Sequence, residues 1–363
     1  MAVAKRSQRP LRRAKPPPRR SVLARAPLAA AAVLCAVAAL VVAAVAPARC
    51  AAEVGVVRYE GVDFLVRGDG GVLGAQFVDA PEAAAFRGWA VQRSAAAVAA
   101  RARTALVVGV GAGSVVAGLA RSGVDVDGVD VDPAVAAAAV ERFGAPAGSV
   151  RVADGLAALA ERDARDIVVI DVVDPSDPAG PALWRFLEPE ALADARASAD
   201  GGRGLVVFNV VDDAPFALAA AAAARLAGHF TRVRAFRDSP AADGGATNCV
   251  FYASDANFDD AVRALRAGAD AAEPGTDAWV AATFPDWELL RCDGGACGGP
   301  ARHFLRGLEP PPRADLSRRP PPAYGAALGE ALRAVADVHL PAAARPPLST
   351  ACAAARWVRR LRP

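Results

Sequence analysis

The sequence predicts an α/β protein with a doubly wound parallel sheet, preceded by a small antiparallel β module. Between residues 105 and 252, apolar runs alternate with alanine-rich stretches of helical pattern. This alternation is typical of a parallel sheet with helices on both faces. Residues 54–78 instead alternate β-forming residues with Gly and Asp turns, which indicates one or two hairpins.

The first 52 residues differ in charge from the rest of the chain. They contain ten Lys or Arg and no acid, whereas the remainder carries 32 basic and 39 acidic side chains. Residues 26–46 are uncharged and apolar, which is long enough for a helix to cross a hydrocarbon core of ~30 Å. A basic arm before an apolar run favours targeting over nucleic-acid binding.

This N-terminal segment is compatible with two cellular locations of the protein. As a single-pass signal-anchor, residues 26–46 hold the body to a membrane, with the basic arm on the cytoplasmic side. As a cleaved signal, Ala46 and Ala48 supply a small-residue cleavage site, and the body is exported or enters an organelle lumen, with the chloroplast as one candidate.

The predicted domains follow from these shifts in composition. Residues 1–52 form the basic arm and apolar segment, and residues 53–103 form the β-hairpin module with a linking helix at 81–102. The sheet domain covers residues 104–255, with strands expected at 105–109, 124–131, 150–153, 167–171, 205–210 and 248–252. Residues 256–299 are predicted to be a helical extension, with a helix at 259–271, and residues 300–363 a Pro/Ala-rich tail.

The cysteine pair in "CDGGAC", Cys292 and Cys297, is expected in a plain surface loop, with a small disulfide as the alternative. No metal site is predicted, because the three histidines show no ligand spacing.

The stretch "VVGVGAGS" carries the first candidate site residues. Gly109, Gly111 and Gly113 lie directly after a predicted strand and before a helical run. Glycines allow a sharp turn and a close approach to a ligand, and the start of a helix offers unpaired N–H groups. The G-x-G-x-G spacing differs from that of dinucleotide sites, and a tight turn without a ligand is the alternative.

Acidic residues follow the next three predicted strands. Asp130, Asp154 and Asp171 each stand at the end of an apolar run, and ligands of open α/β sheets bind outside the carboxyl ends of the strands. Asp130 is predicted to accept both hydroxyls of a ribose. Asp132, which precedes Pro133, is predicted to cap the following helix.

The order of these motifs resembles the class I S-adenosylmethionine-dependent methyltransferase superfamily, in its spermidine-synthase-like branch. The residues that carry the resemblance are the glycine turn, "VDVDP", "ADG" and "DIVVIDVVDPSDPAGP". Within the branch, "FNVVDDA" and "NCVFYAS" look most like the methyltransferases that act on a lysine or the N-terminus of translation elongation factor 1-alpha. The resemblance implies a seven-stranded Rossmann-like sheet and S-adenosylmethionine as cofactor.

The resemblance also implies a role for each candidate residue. Asp171 is the implied catalytic residue, near the transferring group, where a carboxylate can orient an amine or stabilise its developing positive charge. The implied cofactor-binding residues are Gly109, Gly111 and Gly113 at the methionine and ribose, Asp130 at the ribose hydroxyls, and Asp154 with Gly155 at the adenine.

The expected activity is methyl transfer to an amine nitrogen of a small molecule or a protein. A polyamine aminopropyltransferase is the first alternative, but Ala112 and "FRGW" (residues 86–89) stand where polyamine synthases carry Asp and Tyr-His-Glu. A non-catalytic scaffold with the same fold is the second. The expected partners are the cofactor, an amine or protein acceptor, the membrane through residues 26–46 and, as an alternative to a monomer, a second copy of the chain.

Overall fold

The structure is a computed structural model. It describes residues 54–59, 61–67, 71–85, 87–99, 101–172, 181–212, 216–238, 247–265, 281, 284–294 and 296–298, all within one compact unit that spans residues 50–348. The apolar segment at 26–46, the tail at 300–363, and Asp174 and Asp177 lie outside these residues. Among the described residues, no helix combines the length and hydropathy needed to cross a membrane.

The N-terminal module is a three-stranded antiparallel sheet, which confirms the predicted hairpins. Its strands are β1 (Val54–Tyr59), β2 (Val62–Arg67) and β3 (Val72–Phe77), in that order. The inner face packs on the sheet domain, because Leu65 of β2 shares an apolar cluster with Ala112 and Phe143. At Gly74 of β3, an added Cβ would lie 2.3 Å from the Cβ of Ala112. The module therefore rests directly on the glycine turn.

The linking segment is shorter and more broken than the predicted helix at 81–102. Residues 81–85 form turns, and two helices follow, α1 (Arg87–Arg93) and α2 (Ala95–Val98). Between them, the Ser94 hydroxyl donates to the carbonyl oxygen of Ala90 at 2.8 Å. Such a bond to the carbonyl four residues earlier competes with the helical ladder and bends helices, so one long helix does not form.

The main sheet confirms the α/β class and the six strands predicted from the apolar runs, and its core has the seven strands that the resemblance implies. These are β4 (Thr104–Val108), β5 (Asp125–Asp130), β6 (Val150–Val152), β7 (Ile167–Ile170), β8 (Leu205–Asp212), β9 (Arg232–Arg237) and β10 (Thr247–Ser254), in the spatial order β9-β10-β8-β7-β4-β5-β6. Strands β4 to β8 pair in parallel, and β10 inserts antiparallel between β8 and β9.

Helices cover both faces of this sheet. They are α3 (Ser114–Arg121), α4 (Pro133–Glu141), α5 (Gly155–Ala160), α6 (Pro181–Phe186), α7 (Pro189–Ser198), α8 (Ala217–Ala227) and α9 (Asp259–Leu265). Strand β7 is buried on both sides. Its residues Val168 and Ile170 belong to one core cluster, and Ile167 and Val169 belong to the other. Successive side chains of a strand point to opposite faces, so β7 is the centre of the two-layer core.

Strand β9 has no counterpart among the predicted strands, because "RVRAFR" alternates arginine with apolar residues. The Arg234 side chain is nevertheless 2% exposed. Its Nη2 lies 2.7 Å from Asp259 of α9, and its Nη1 lies 3.4 Å from Asp293. A buried charge is tolerated when it is paired and hydrogen-bonded, so an arginine occupies a core position of this strand.

The predicted helical extension at 256–299 is wrong in its second half. After α9, which ends at Leu265, the chain forms a hairpin of β11 (Glu288–Asp293) and β12 (Ala296–Gly298), and β11 pairs with β9. The sheet therefore has nine strands. Asp293 pairs with Ala296, and the two residues between them are both glycine in the sequence, which is a strong signal for a two-residue hairpin loop.

The expected plain loop around Cys292 is also wrong. Cys292 is 1% exposed and disulfide-bonded. The antiparallel register of the hairpin pairs the backbone of Cys297 with that of Cys292.

Candidate functional site

The parallel strands bring the predicted site residues to one edge of the sheet. Asp130 ends β5, Asp154 follows β6 by two residues, and Asp171 directly follows β7. The glycine turn follows β4, which lies between β5 and β7. Along this edge the order is therefore Asp154, Asp130, glycine turn and Asp171.

The glycine turn is shaped by contacts on two sides. Gly109 has φ +83°, and an added Cβ there would lie 2.2 Å from the backbone oxygen of Asp171. Gly111 has φ +52°, and an added Cβ would lie 2.4 Å from the backbone oxygen of Leu73 in β3. The turn is thus held between the end of β7 and the N-terminal module.

Asp130 holds this turn in place. Its Oδ2 accepts hydrogen bonds from the backbone N–H of Val110 at 3.0 Å and of Gly111 at 3.3 Å, and its Oδ1 accepts from Asp132 N–H at 3.0 Å. Burial raises the pKa of the Asp130 carboxyl, and these three hydrogen bonds act in the opposite direction. A carboxylate has about four acceptor positions, and these three hydrogen bonds leave about one of them for a ligand. The prediction that Asp130 accepts both ribose hydroxyls would need two.

Two other acids of this edge cap helices. The Asp132 carboxylate accepts from Ala134 N–H at 2.8 Å at the start of α4, which confirms the predicted cap. The Asp154 carboxylate accepts from Leu156 N–H at 2.8 Å and caps α5, which the sequence analysis missed. At Gly155 an added Cβ would lie 2.2 Å from Val108 Cγ1, so this glycine lets α5 pack on β4.

Two exposed valines lie beside these acids, and the sequence analysis did not select them. Val131, directly after Asp130, is 73% exposed, and Val152, at the end of β6, is 56% exposed. By contrast, Val129 of β5 is buried and Val150 of β6 is partly buried. Large exposed apolar side chains next to a polar group offer a flat surface for a ring.

Asp171 is surrounded by neutral hydrogen-bond donors. Its Oδ1 accepts from Asn209 Nδ2 at 2.8 Å and its Oδ2 accepts from Gln92 Nε2 at 3.0 Å. The Trp89 side chain also donates a hydrogen bond to this carboxyl. Burial raises the pKa of Asp171, and the three hydrogen bonds oppose that rise.

The polar network continues away from Asp171. Asn209 Nδ2 also donates to Asn248 Oδ1 at 3.0 Å, and Asn248 Nδ2 donates to Asp238 Oδ2 at 2.7 Å. Gln92 is 0% exposed and Asn209 is 2% exposed. The side-chain oxygens of these two residues are buried without a hydrogen-bond partner. Buried polar atoms are nearly always paired, so these acceptors mark a place for a donor.

Most of this network was not predicted from the sequence. Trp89 was noted only as part of "FRGW", and the segments around Asn209 and Asn248 only through the family resemblance. Among the residues that the structure describes, no group of three or more His, Cys, Asp or Glu side chains is placed to hold a metal ion.

The edge therefore offers two different environments, one on each side of the glycine turn. Around Asp130, one remaining acceptor position lies beside the apolar surfaces of Val131 and Val152. Around Asp171, a carboxylate lies next to two unpartnered amide oxygens. The first suits a nucleoside, and the second suits an N–H donor that carries positive charge.

Solved structures show which fold this is. A probable spermidine synthase from Corynebacterium glutamicum is 17% identical, with a TM-score of 0.51, and the match covers 70% of this chain and 90% of that one. The spermidine synthase from Thermotoga maritima is 14% identical, with a TM-score of 0.47 and coverage of 70% and 88%. Human methyltransferase-like protein 13, crystallised with SAH, is 22% identical, with a TM-score of 0.37 and coverage of 46% and 78%.

No protein-family model matches the sequence, and no curated protein matches it. The fold assignment therefore depends on the arrangement of the strands. This chain has a seven-stranded core preceded by an antiparallel module. The match to the Corynebacterium structure covers 90% of that chain. The chain therefore has the same fold as the probable spermidine synthase from Corynebacterium glutamicum.

Proposed function

We propose that the protein is an S-adenosylmethionine-dependent methyltransferase that transfers a methyl group to an amine nitrogen. The observation that carries the proposal is Asp171, whose backbone lies beside the glycine turn and whose carboxylate is held by neutral donors. Two buried acceptors next to it, Gln92 Oε1 and Asn209 Oδ1, lack a donor. An amine supplies N–H donors for them and gains positive charge as it reacts.

The residues on the other side of the glycine turn fit this cofactor. Asp130 keeps about one acceptor position for a ribose hydroxyl, and Val131 and Val152 expose apolar surface for the adenine ring. S-adenosylmethionine would supply a methyl group on a positively charged sulfur, and the sulfur–methyl bond would break as the amine takes the methyl, so that a neutral thioether leaves. The glycine turn would lie along the rest of the cofactor.

In this mechanism the protein mainly positions the acceptor. The Asp171 carboxylate accepts an N–H bond from the amine and so orients the nitrogen lone pair. As the nitrogen becomes positively charged, the same carboxylate stabilises it. Transfer of this kind depends on alignment of the reactants more than on acid–base groups.

A polyamine aminopropyltransferase is the second candidate, and the likeness to a probable spermidine synthase favours it. A polycationic acceptor needs several carboxylates in one pocket. Ala112, however, is 3% exposed within an apolar cluster, and Trp89 contributes a neutral donor. Both positions therefore support methyl transfer.

The two candidates differ in cofactor and product. The test is to incubate the full-length protein with S-adenosylmethionine and a panel of primary amines, lysine peptides and protein N-termini, and to measure methylated product. A parallel reaction contains decarboxylated S-adenosylmethionine and putrescine. Release of methylthioadenosine in the second reaction alone would replace the proposal with the runner-up.

Asp130→Ala should weaken S-adenosylmethionine binding. The variant loses one charge-assisted hydrogen bond to the ribose and releases the backbone N–H groups of Val110 and Gly111. We expect a loss of on the order of 2–4 kcal/mol, measured by calorimetric titration. Asp132→Ala is the control, because the neighbouring acid caps α4 and its loss should leave the affinity unchanged. Equal losses in the two variants would refute the assignment of Asp130.

We also propose that the described domain works in an oxidising compartment, either anchored by residues 26–46 or exported after their removal. The disulfide at Cys292 supports this, because stable disulfides are typical of such compartments. The protein, isolated under acid quench and denatured without reductant, should be alkylated by maleimide at Cys249, a buried free thiol. Cys292 should react only after reduction. Alkylation of both residues before reduction would contradict the proposal.

A further inference from the structure

The amide groups between Asp238 and Asp171 can be ordered in one way. Both carboxylates accept hydrogen bonds and cannot donate when ionised. Asn248 therefore gives its N–H to Asp238, at 2.7 Å, and its oxygen faces Asn209. Asn209 must then donate twice, to Asn248 at 3.0 Å and to Asp171 at 2.8 Å.

In this arrangement the side-chain oxygen of Asn209 has no hydrogen-bond partner. Both N–H groups of Asn209 are used, so its oxygen finds no partner within the network, although the residue is 2% exposed. Gln92 shows the same pattern, because its amide nitrogen holds Asp171 and its oxygen is unpartnered. An unpaired acceptor in a buried network is costly. Two of them around one carboxylate indicate that the network is completed by a ligand.

We propose that Asp238 and Asn248 are positioning residues of the acceptor site. They orient the Asn209 amide so that its nitrogen holds Asp171 and its oxygen accepts an N–H from the substrate amine. If the Asn209 amide turned over, its oxygen would face the Asp171 carboxylate, which repels it. The identification of the ligand as an amine rests on the proposed function, whereas the orientation of Asn209 does not.

Helix α1 limits the position of Asn248 from the other side. At Gly88 an added Cβ would lie 2.8 Å from Asn248 Cγ and 2.9 Å from its Nδ2. These distances are shorter than carbon and nitrogen atoms tolerate, so Asn248 would have to move. Gly88→Ala therefore perturbs the network by steric pressure without removing a hydrogen-bonding group.

The composition of the chain makes the network directly observable. The sequence contains three asparagines, Asn209, Asn248 and Asn257. The first two belong to the network, and the third accepts a hydrogen bond from Asp259 N–H at the start of α9. Full-length protein labelled with side-chain ¹⁵N-asparagine should therefore show three pairs of NH₂ signals, with Asn257 as an internal control.

Asp238→Ala tests the positioning role, because Asp238 contacts Asn248 and not Asn209 in this chain of bonds. We expect the Asn209 signals to shift and to lose protection from solvent exchange, while those of Asn257 stay unchanged. Asp238→Asn keeps an acceptor oxygen and should restore much of the protection. Gly88→Ala and Asn248→Ala should disturb Asn209 in the same way. Unchanged Asn209 signals in all of these variants that remain folded would overturn the proposal.

Titration with two small cations tests the ligand role of Asn209. Ethylammonium offers N–H donors, and tetramethylammonium offers charge alone. We expect ethylammonium to shift the Asn209 signals in wild type and to have less effect in Asp238→Ala. Equal shifts from both cations, or none from ethylammonium, would overturn the ligand role. The spectra require no turnover, so a protein that passes these tests yet transfers no methyl group would refute the proposed function alone.

Discussion

Asp171→Asn is expected to lower methyl transfer by on the order of 100-fold or more, while S-adenosylmethionine binds nearly as tightly as to wild type. The substitution keeps the size of the side chain and removes its charge, so the reacting nitrogen loses the group that orients it and stabilises its positive charge. Asp130 and the valines beside it lie on the other side of the glycine turn and are untouched. Single-turnover rates and calorimetric titration measure the two effects separately.

The same variant should also be less stable, which calls for a control. An amide at position 171 turns an N–H group toward Asn209 or Gln92, both of which donate, and this costs about 1–3 kcal/mol. Asp166 directly precedes β7, at the end of the strand opposite to Asp171. Its carboxylate accepts hydrogen bonds from the backbone N–H of Arg103 at 2.7 Å and of Thr104 at 3.0 Å. Asp166→Asn should therefore reduce stability while leaving transfer intact. Similar losses of transfer in both variants would show that instability alone explains the result.

The effect of pH separates the two roles of Asp171 further. Burial raises the pKa of its carboxyl in the folded protein, so the folded state holds this proton more tightly than the unfolded chain does. The resulting stabilisation is complete below the unfolded pKa of about 3.9 and is lost as pH rises through the folded pKa. Relative to Asp171→Asn, wild type should gain stability as pH falls through that window and lose transfer over the same range.

The position of the candidate site could be predicted from the sequence because parallel strands determine it. Once the apolar runs alternate with helices, the residues that follow each strand must meet at one edge. Asp130 and Asp171 were found in this way. The partners of Asp171 could not be found so, since Gln92, Asn209 and Asn248 come from α1, β8 and β10. Which side chains of these elements meet depends on strand register and helix packing, which no local pattern encodes.

Strand β9 could not be predicted from the sequence for a similar reason. The arginines Arg232 and Arg234 make the sequence of β9 look exposed. Their charges are paired with Asp259 and Asp293, which lie more than 20 residues later in the chain, so no local pattern indicates that this strand is buried. The backbone partners of the Asp130 carboxylate could not be predicted for a related reason. The backbone N–H groups that occupy its carboxylate become its neighbours only when the glycine turn folds back over β5.

Gly109→Ala is expected to have the largest effect on stability of the substitutions considered, a loss of about 4 kcal/mol or more in the free energy of unfolding. Two costs combine at this position. Alanine is strained at φ +83°, which costs about 1–3 kcal/mol. In addition, its Cβ would lie 2.2 Å from the backbone oxygen of Asp171, so the end of β4 or of β7 must move.

Gly123→Ala separates these costs, because Gly123 has the same φ of +83° and no atom within 4 Å of an added Cβ. Urea denaturation should show only the conformational cost in Gly123→Ala, and the difference between the two variants is then the cost of the contact. Equal unfolding free energies in the two variants would show that β4 and β7 do not approach this closely.

The backbone that Gly109→Ala displaces belongs to both halves of the site. Gly109 N–H donates to Val129 O at 2.9 Å, and Asp171 N–H donates to Val108 O at 2.9 Å. If the Gly109→Ala variant remains folded, we therefore expect it to lose cofactor affinity and methyl transfer together.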